Sequence, residues 1–184
     1  MKQLFTIGHS TRTIEYFVSL LKAHGVEELV DVRTIPKSRH NPQFGRENLR
    51  NSLRGKGIGY RWLGKELGGL RRAKKDSENT GWENLSFRGF ADYMGSAEFE
   101  GGLKKLQAIA SKKNTAIMCA EAVPWRCHRS LIGDAMTKKG WKVRDISSRK
   151  TAHLHTLTPF LRIRKEKITY PVVTARRGPG SGRS

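Results

Sequence analysis

The stretch TAIMCAEAVPWRCHR, residues 115–129, contains the clearest signal of a buried strand in this chain and leads into a predicted helix. Its first five residues are almost entirely apolar, which predicts a strand buried on both faces, as in parallel sheets. A polar loop follows. Apolar side chains then recur at helical spacing from Cys127 to Lys139, and Gly140 ends this predicted amphipathic helix.

The same order of elements opens the chain. Leu4–Ile7 is a short apolar run that ends at Gly8-His9-Ser10, Ile14–His24 has helical spacing, and Glu28–Val32 reads as a second buried strand. Alternation of strands and helices predicts an α/β domain, a three-layer fold with a mainly parallel sheet. Further strands are predicted at residues 58–63 and 141–146, and helices at 46–54, 87–93, 99–111 and 158–164.

Length and composition bound the class of protein. The 184 residues suit one ordinary domain, which we place in residues 1–150, with a basic extension over 151–184 whose last residues we expect to be flexible. No apolar run approaches the roughly 18 residues of a membrane span, and the N-terminus lacks the pattern of a secretory signal. Two cysteines are too few for a disulfide scaffold. We therefore expect a cytoplasmic protein without a membrane partner, and its oligomeric state stays open.

Positive charge is concentrated in two stretches. The chain has 36 Lys and Arg against 16 Asp and Glu, for a formal net charge of +20. Residues 33–75 hold 13 basic and two acidic side chains, and residues 144–184 hold ten and two. A field of this kind favours polyanions, so we expect DNA, RNA or a nucleotide as partner through the basic surface.

Polar side chains follow the carboxyl ends of three predicted strands. They are His9 and Ser10 after the first, Asp31 and Arg33 at the second, and Cys119 with Glu121 at the third. These ends meet at one edge of a parallel sheet, where α/β proteins bind ligands. The sequence therefore predicts one shared cleft, and the helix that opens with Cys127-His128-Arg129 borders it.

Several segments resemble the DUF488 family, a group of small bacterial and archaeal α/β proteins. The most specific are the paired CAE and CHR motifs at residues 119–121 and 127–129. The resemblance runs from Phe5 to about Ile146 and implies the fold and the place of the site. Because the family's function is unknown, it implies no catalytic roles. The other segments are TIGHS (6–10), VDVRTIPKSRHNPQF (30–44), LGKELGG (63–69) and FADYM (90–94).

The predicted cleft has the groups that hydrolysis of a phosphate-bearing ligand would need. Glu121 or Asp31 can act as a carboxylate base and His9 as a proton shuttle. For Asp31, a structural ion pair with Arg33 is an equally good interpretation. The predicted phosphate-binding set is Ser10, Arg33, Ser38, Arg39, Arg126, Cys127, His128 and Arg129.

Three interpretations compete for the loop at residues 119–129. A zinc site would use Cys119, Glu121, Cys127 and His128, but adjacent Cys and His rarely reach one ion, so we predict no metal and no cofactor. A nucleophilic Cys119 would resemble rhodanese sulfurtransferases and cysteine phosphatases, yet Cys119 and Arg126 are spaced C-x6-R instead of C-x5-R. We favour a polar pocket in which arginines and a helix N-terminus bind an anion.

The sequence favours a nucleic-acid- or nucleotide-engaging protein of hydrolase or lyase type, such as a base-excision repair enzyme. A non-catalytic nucleic-acid-binding module and a rhodanese-like cysteine sulfurtransferase are the alternatives, so whether the chain is an enzyme stays open. Trp62, Trp82 and Trp125 can stack on bases, whereas Trp141 is predicted to lie in the core. His153 and His155 are predicted to lie at the surface.

Overall fold

A six-stranded sheet forms the centre of the computed structural model, which describes residues 2–172. The first five strands are parallel and the sixth is antiparallel, which confirms the predicted mainly parallel sheet. Its order is β3-β2-β4-β1-β5-β6. The strands are β1 (Gln3–Gly8), β2 (Glu28–Asp31), β3 (Gly59–Trp62), β4 (Thr115–Cys119), β5 (Lys142–Ile146) and β6 (Ala152–Leu154), and a separate hairpin pairs β7 (Arg162–Arg164) with β8 (Lys167–Thr169).

Helices cover both faces of the sheet and complete three layers. Alternate residues of the strands point to opposite faces, so Ala116 and Met118 pack on the layer of α1 and α2 while Ile117 packs on the other layer. Thr13 caps α1 by accepting a hydrogen bond from the Tyr16 amide. The helices are α1 (Ile14–Ala23), α2 (Arg46–Arg54), α3 (Gly64–Leu67), α4 (Leu85–Tyr93), α5 (Ala97–Ala110) and α6 (Arg129–Lys138), with 3₁₀ turns at Pro42–Phe44 and Pro124–Arg126.

Helix α6 is buried nearly all round, which corrects the prediction of an amphipathic helix. Every residue from Arg129 to Met136 is buried. The chain after β5 covers the side that would otherwise face water: His155 packs so closely that a Cβ at Gly133 would lie 2.9 Å from its ring. Periodicity could not show this cover, because it comes from residues far along the chain.

The predicted helix at residues 158–164 is wrong. This segment contains a turn and then β7, which pairs with β8 across Lys165 and Glu166. Both turn residues have positive φ, 43° and 70°, as a two-residue type I′ hairpin requires. Neither is the Gly or Asn that usually signals such a turn, so no residue pattern predicts it.

Residues 151–172 pack against the rest of the protein. Strand β6 extends the sheet beside β5, and Tyr170 is fully buried in the core. The division of the chain at residue 150 stays a prediction, and the basic tail at residues 175–184 lies outside the described residues. Within residues 2–172, no helix has both the length and the apolar composition needed to cross a bilayer.

Candidate functional site

A cavity of about 680 Å³ opens where β1, β2 and β4 end. His9 comes from β1, Arg33 from the end of β2, and Cys119 and Glu121 from the end of β4. The predicted convergence at one edge of the sheet is therefore confirmed. Of the predicted site residues, Ser10, Ser38, Arg126, Cys127 and His128 also line this cavity, whereas Asp31, Arg39 and Arg129 do not.

Asp31 lies beneath the cavity, and its carboxylate is held by hydrogen bonds from two neighbouring side chains. Its carboxylate accepts hydrogen bonds from Arg33 Nε at 2.9 Å, from Arg33 Nη2 at 2.6 Å and from the Tyr60 hydroxyl at 2.8 Å. Neither member of the ion pair is more than 6% exposed. This arrangement fits the structural ion pair better than a catalytic base, since no oxygen of Asp31 faces the cavity.

His9 is held in one neutral tautomer. Its Nδ1 lies 2.8 Å from the Ser10 carbonyl oxygen, so Nδ1 carries the proton and donates it. Nε2 then accepts from Arg33 Nη1 at 3.4 Å, and the ring stacks on Phe44 with 4.3 Å between centroids. Burial lowers the pKa of His9, and the Arg33 charge adds to this effect. At neutral pH His9 is therefore an acceptor whose lone pair faces a guanidinium.

Cys119, Cys127 and His128 form a compact cluster on the cavity wall. Nδ1 of His128 lies 3.8 Å from Cys119 Sγ and 3.7 Å from Cys127 Sγ. Its Nε2 lies 3.0 Å from the carbonyl oxygen of Val32. A hydrogen bond from the Cys127 thiol holds the pKa of Cys119 well below its usual value, while donating that bond raises the pKa of Cys127.

Although adjacent Cys and His residues rarely reach one ion, the side chains of Cys127 and His128 lie on the same side of the chain here. Cys127 has extended backbone, with φ −138° and ψ 142°, and His128 has helical backbone, with φ −56° and ψ −17°. This change of conformation bends the chain just before α6, so both side chains face Cys119. A prediction from sequence spacing treats neighbouring residues as having the same backbone conformation, so it does not detect this bend.

Arg129 holds the loop in place and does not face the cavity. The residue is 1% exposed, and its Nη1 and Nη2 donate to the carbonyl oxygens of Glu121 and Ala122 at 2.6 and 2.9 Å. The structure therefore gives Arg129 a positioning role where a phosphate contact was predicted. Arg126 is exposed and lines the cavity.

Sequence reasoning missed Lys37, His40 and Gly69 in the cavity lining. A Cβ at Gly69 would lie 2.6 Å from His128 Nδ1, so glycine allows this backbone to approach the ring. Lys37 and His40 lie in the segment VDVRTIPKSRHNPQF, residues 30–44, that carries part of the family resemblance. The motif LGKELGG at 63–69 could have suggested Gly69, although nothing in it indicated which group it contacts.

A second buried cluster lies against α6, away from the cavity. Nε2 of His155 lies 2.9 Å from Asp134 Oδ1, and its Nδ1 lies 3.4 Å from Asp145 Oδ2. The predicted surface position of His155 is wrong, because only 5% of its side chain is exposed, whereas His153 is exposed as predicted. Burial lowers the pKa of His155, but the two carboxylates outweigh it and raise that pKa to about 9.

A family model described as a domain of unknown function, DUF488, matches residues 13–136, more than half of the chain. The chain belongs to the DUF488 family. The DUF488 match includes the ion pair at the end of β2 and the whole loop at residues 119–129, but it begins after His9. No curated protein and no solved structure matched the chain.

Proposed function

We propose that this DUF488 protein binds the phosphate of a nucleic acid or nucleotide in the cavity and cleaves the bound ligand as a hydrolase or lyase. The observation that carries the proposal is the charge of the lining: Lys37 and Arg126 line the cavity together with Arg33, whose charge is paired with Asp31, and Glu121 is the one carboxylate among the lining residues. In its most specific form, the proposal is that the protein removes a base from damaged DNA.

The size and surroundings of the cavity support a ligand of nucleotide size. Its volume of about 680 Å³ falls within the roughly 300–1,000 Å³ of small-molecule sites. Exposed Arg39 lies beside the lining residue Ser38 and extends the positive surface outward. Trp125 is 72% exposed next to Arg126 and offers a ring for base stacking.

Glu121 is the candidate base, because the Asp31 carboxylate is already bonded to Arg33 and Tyr60. Its side chain is exposed and lines the cavity, whereas Asp31 is enclosed by Arg33 and Tyr60. In the proposed hydrolysis of a nucleotide's glycosidic bond, Glu121 takes a proton from water while the water oxygen attacks the sugar carbon C1′. The C1′–N bond breaks, and the base leaves with its electron pair and takes up the proton from Glu121. Arg126 holds the phosphate together with Nη1 of Arg33, the guanidinium nitrogen that does not contact Asp31 and that lies 3.4 Å from neutral His9.

A salt series of oligonucleotide binding tests the proposal. Fluorescence anisotropy with labelled DNA and RNA is measured at salt from about 50 to 200 mM. The affinity is expected to fall steeply as salt rises, because binding releases counterions from the nucleic acid and this release is less favourable at higher salt. Arg126→Ala is expected to weaken binding about tenfold and to reduce the salt slope by about one. The matched control is Arg54→Ala, an exposed arginine at the far end of α2 that does not line the cavity.

Binding that does not change with salt, or equal losses in Arg126→Ala and Arg54→Ala, would contradict the phosphate site. Catalysis is tested separately with Glu121→Gln, which is expected to bind as before and to yield no product from a ligand that the natural chain cleaves. Salt-sensitive binding without product from intact or base-damaged DNA and RNA would support the non-catalytic binding module instead.

A further inference from the structure

The cluster of Cys119, Cys127 and His128 has the dimensions of a metal site. Their two Sγ atoms and Nδ1 all lie within 4.8 Å of one another. A tetrahedral zinc ion with Zn–S about 2.3 Å and Zn–N about 2.0 Å separates the sulfur and nitrogen ligands by roughly 3.6 Å. The Nδ1–Sγ distances of 3.7 and 3.8 Å need only a small contraction to reach that value.

The imidazole of His128 is oriented as a ligand requires. A carbonyl oxygen only accepts, so the 3.0 Å contact with Val32 places the proton on Nε2. Nδ1 is then unprotonated, and its lone pair points towards both sulfur atoms. Metal-binding histidines commonly donate their second nitrogen to a backbone carbonyl in this way, which fixes both the tautomer and the angle of the ring.

The surroundings favour a soft divalent ion over magnesium or calcium. Cys119 is 8% exposed and Cys127 is 3% exposed, and the Phe90 ring packs edge-on against His128 with 5.0 Å between centroids. The donor set is two sulfur atoms and one nitrogen, with no carboxylate among the clustered atoms. Thiolate and imidazole donors suit zinc, whereas magnesium and calcium select oxygen.

From this geometry we propose that Cys119 Sγ, Cys127 Sγ and His128 Nδ1 bind one zinc ion. All three residues line the cavity, so the fourth coordination position opens towards it. Three protein ligands with one open position are typical of catalytic zinc, whereas structural zinc sites are closed by four. The proposal goes beyond the phosphate site and does not rest on it.

The test uses Co²⁺ as a spectroscopic probe of the full-length protein, reduced and handled without oxygen. One equivalent is expected to produce a thiolate-to-cobalt charge-transfer band in the near ultraviolet together with the visible bands of a tetrahedral ion. Zn²⁺ is expected to displace cobalt and remove these bands. Because the chain has only two cysteines, the intensity reports Cys119 and Cys127 alone.

Variants assign the ligands. Cys119→Ser and Cys127→Ser are each expected to weaken Co²⁺ binding at least about 100-fold and to remove about half of the charge-transfer intensity. His128→Gln is expected to retain that intensity at saturation while weakening binding about 10- to 100-fold. His153→Gln, which removes an exposed histidine on β6, is the control and is expected to change neither.

A second measurement covers variants that fail to fold. In the natural protein, bound Zn²⁺ is expected to protect both thiols from alkylation, and a chelator is expected to expose them again. Absence of the cobalt bands, bands that persist when both cysteines are replaced, or equally rapid alkylation with and without zinc would overturn the proposal. Rapid alkylation of Cys119 alone under both conditions would point to the sulfurtransferase alternative.

Discussion

Two buried polar clusters contain histidine, and His9 in one and His155 in the other are in opposite charge states at neutral pH. The cavity cluster consists of His9, Asp31, Arg33, Cys119, Cys127 and His128, and the α6 network consists of Asp134, Asp145, His155, Thr158 and Tyr170. Two carboxylates raise the pKa of His155 to about 9, so its ring is charged at neutral pH. His9 contacts a backbone carbonyl and a guanidinium, and burial lowers its pKa.

The two clusters also differ in the hydrogen bonds that their polar atoms make within the protein. Asp134 accepts hydrogen bonds from His155, from the amide and hydroxyl of Thr158, and from the Tyr170 hydroxyl, so the α6 network is satisfied by its own members. In the cavity cluster, Nδ1 of His128 lies within 4 Å of both thiols, Gly69 approaches the same atom, and these side chains line the cavity. We infer that the hydrogen bonds around Asp134 stabilise the fold, although Asp145, His155 and Thr158 of the α6 network also line a cavity, of about 760 Å³.

The largest expected effect comes from breaking the ion pair under the cavity. Asp31→Asn removes the charge that compensates Arg33, which is only 6% exposed. Because an uncompensated buried charge is costly, we expect the free energy of unfolding to fall by about 3–5 kcal/mol. Urea denaturation at pH 7, followed by circular dichroism, measures this loss.

The control for Asp31→Asn is Arg61→Gln. Arg61 forms an ion pair with Glu28 but is 60% exposed, and Lys113 still contacts the same carboxylate. We expect a loss of less than about 1 kcal/mol for this surface pair. Similar losses in the two variants would mean that burial does not distinguish them.

His155→Gln tests the charge of the α6 network and is expected to have a pH-dependent effect. The folded pKa of about 9 lies above the ordinary value of 6.5. Protonation of His155 therefore contributes stability that is fully present below pH 6.5 and is lost as pH rises through about 9. We expect the variant to be about 3 kcal/mol less stable than the natural chain at pH 6, with the gap narrowing towards pH 10.

The counterpart in the cavity cluster, His9→Gln, is expected to show the opposite slope. The folded pKa of His9 is lowered, so neutral His9 contributes stability above its unfolded pKa that is lost as pH falls. Denaturation curves from pH 5 to 10 for both variants measure the two slopes. A constant difference from the natural chain across this range would show that neither charge state depends on its cluster.

The smallest expected effect comes from removing one hydroxyl from each cluster. Tyr170→Phe deletes the donor at 3.0 Å from Asp134, and Tyr60→Phe deletes the donor at 2.8 Å from Asp31. Each carboxylate keeps other donors, so we expect each variant to lose about 1.5 kcal/mol. The melting temperatures of the pair measure this, and a loss confined to one of them would show that the other carboxylate compensates fully.

Much of the fold could be predicted because it depends on local patterns. Apolar runs marked β1, β2 and β4, and their polar ends predicted the cavity before its shape was known. The features that were missed depend on contacts between distant residues. Nothing near His155 indicates that Asp134 and Asp145 will enclose it, and nothing near α6 indicates that the following chain covers it.

Within the candidate site, residue types could be predicted more readily than residue roles. The sequence identified Asp31 and Arg129 as polar groups at the right edge of the sheet. Such a group can face the cavity or form hydrogen bonds with other residues of the chain. Which of the two it does depends on its hydrogen-bond partners, and these are seen only in the structure. For Cys127 and His128, a local change of backbone conformation brings together two side chains that sequence spacing alone did not predict to meet.

The bond between His128 and Val32 has a consequence for motion. Val32 follows the last residue of β2, and its amide is bonded to the Met118 carbonyl of the neighbouring strand. The imidazole is thus anchored to the central sheet, although it lies at the rim of an open cavity. Its Nε2 proton is expected to exchange slowly with water, and a nuclear magnetic resonance spectrum would show it as a persistent signal beside the vanishing ring protons of exposed histidines.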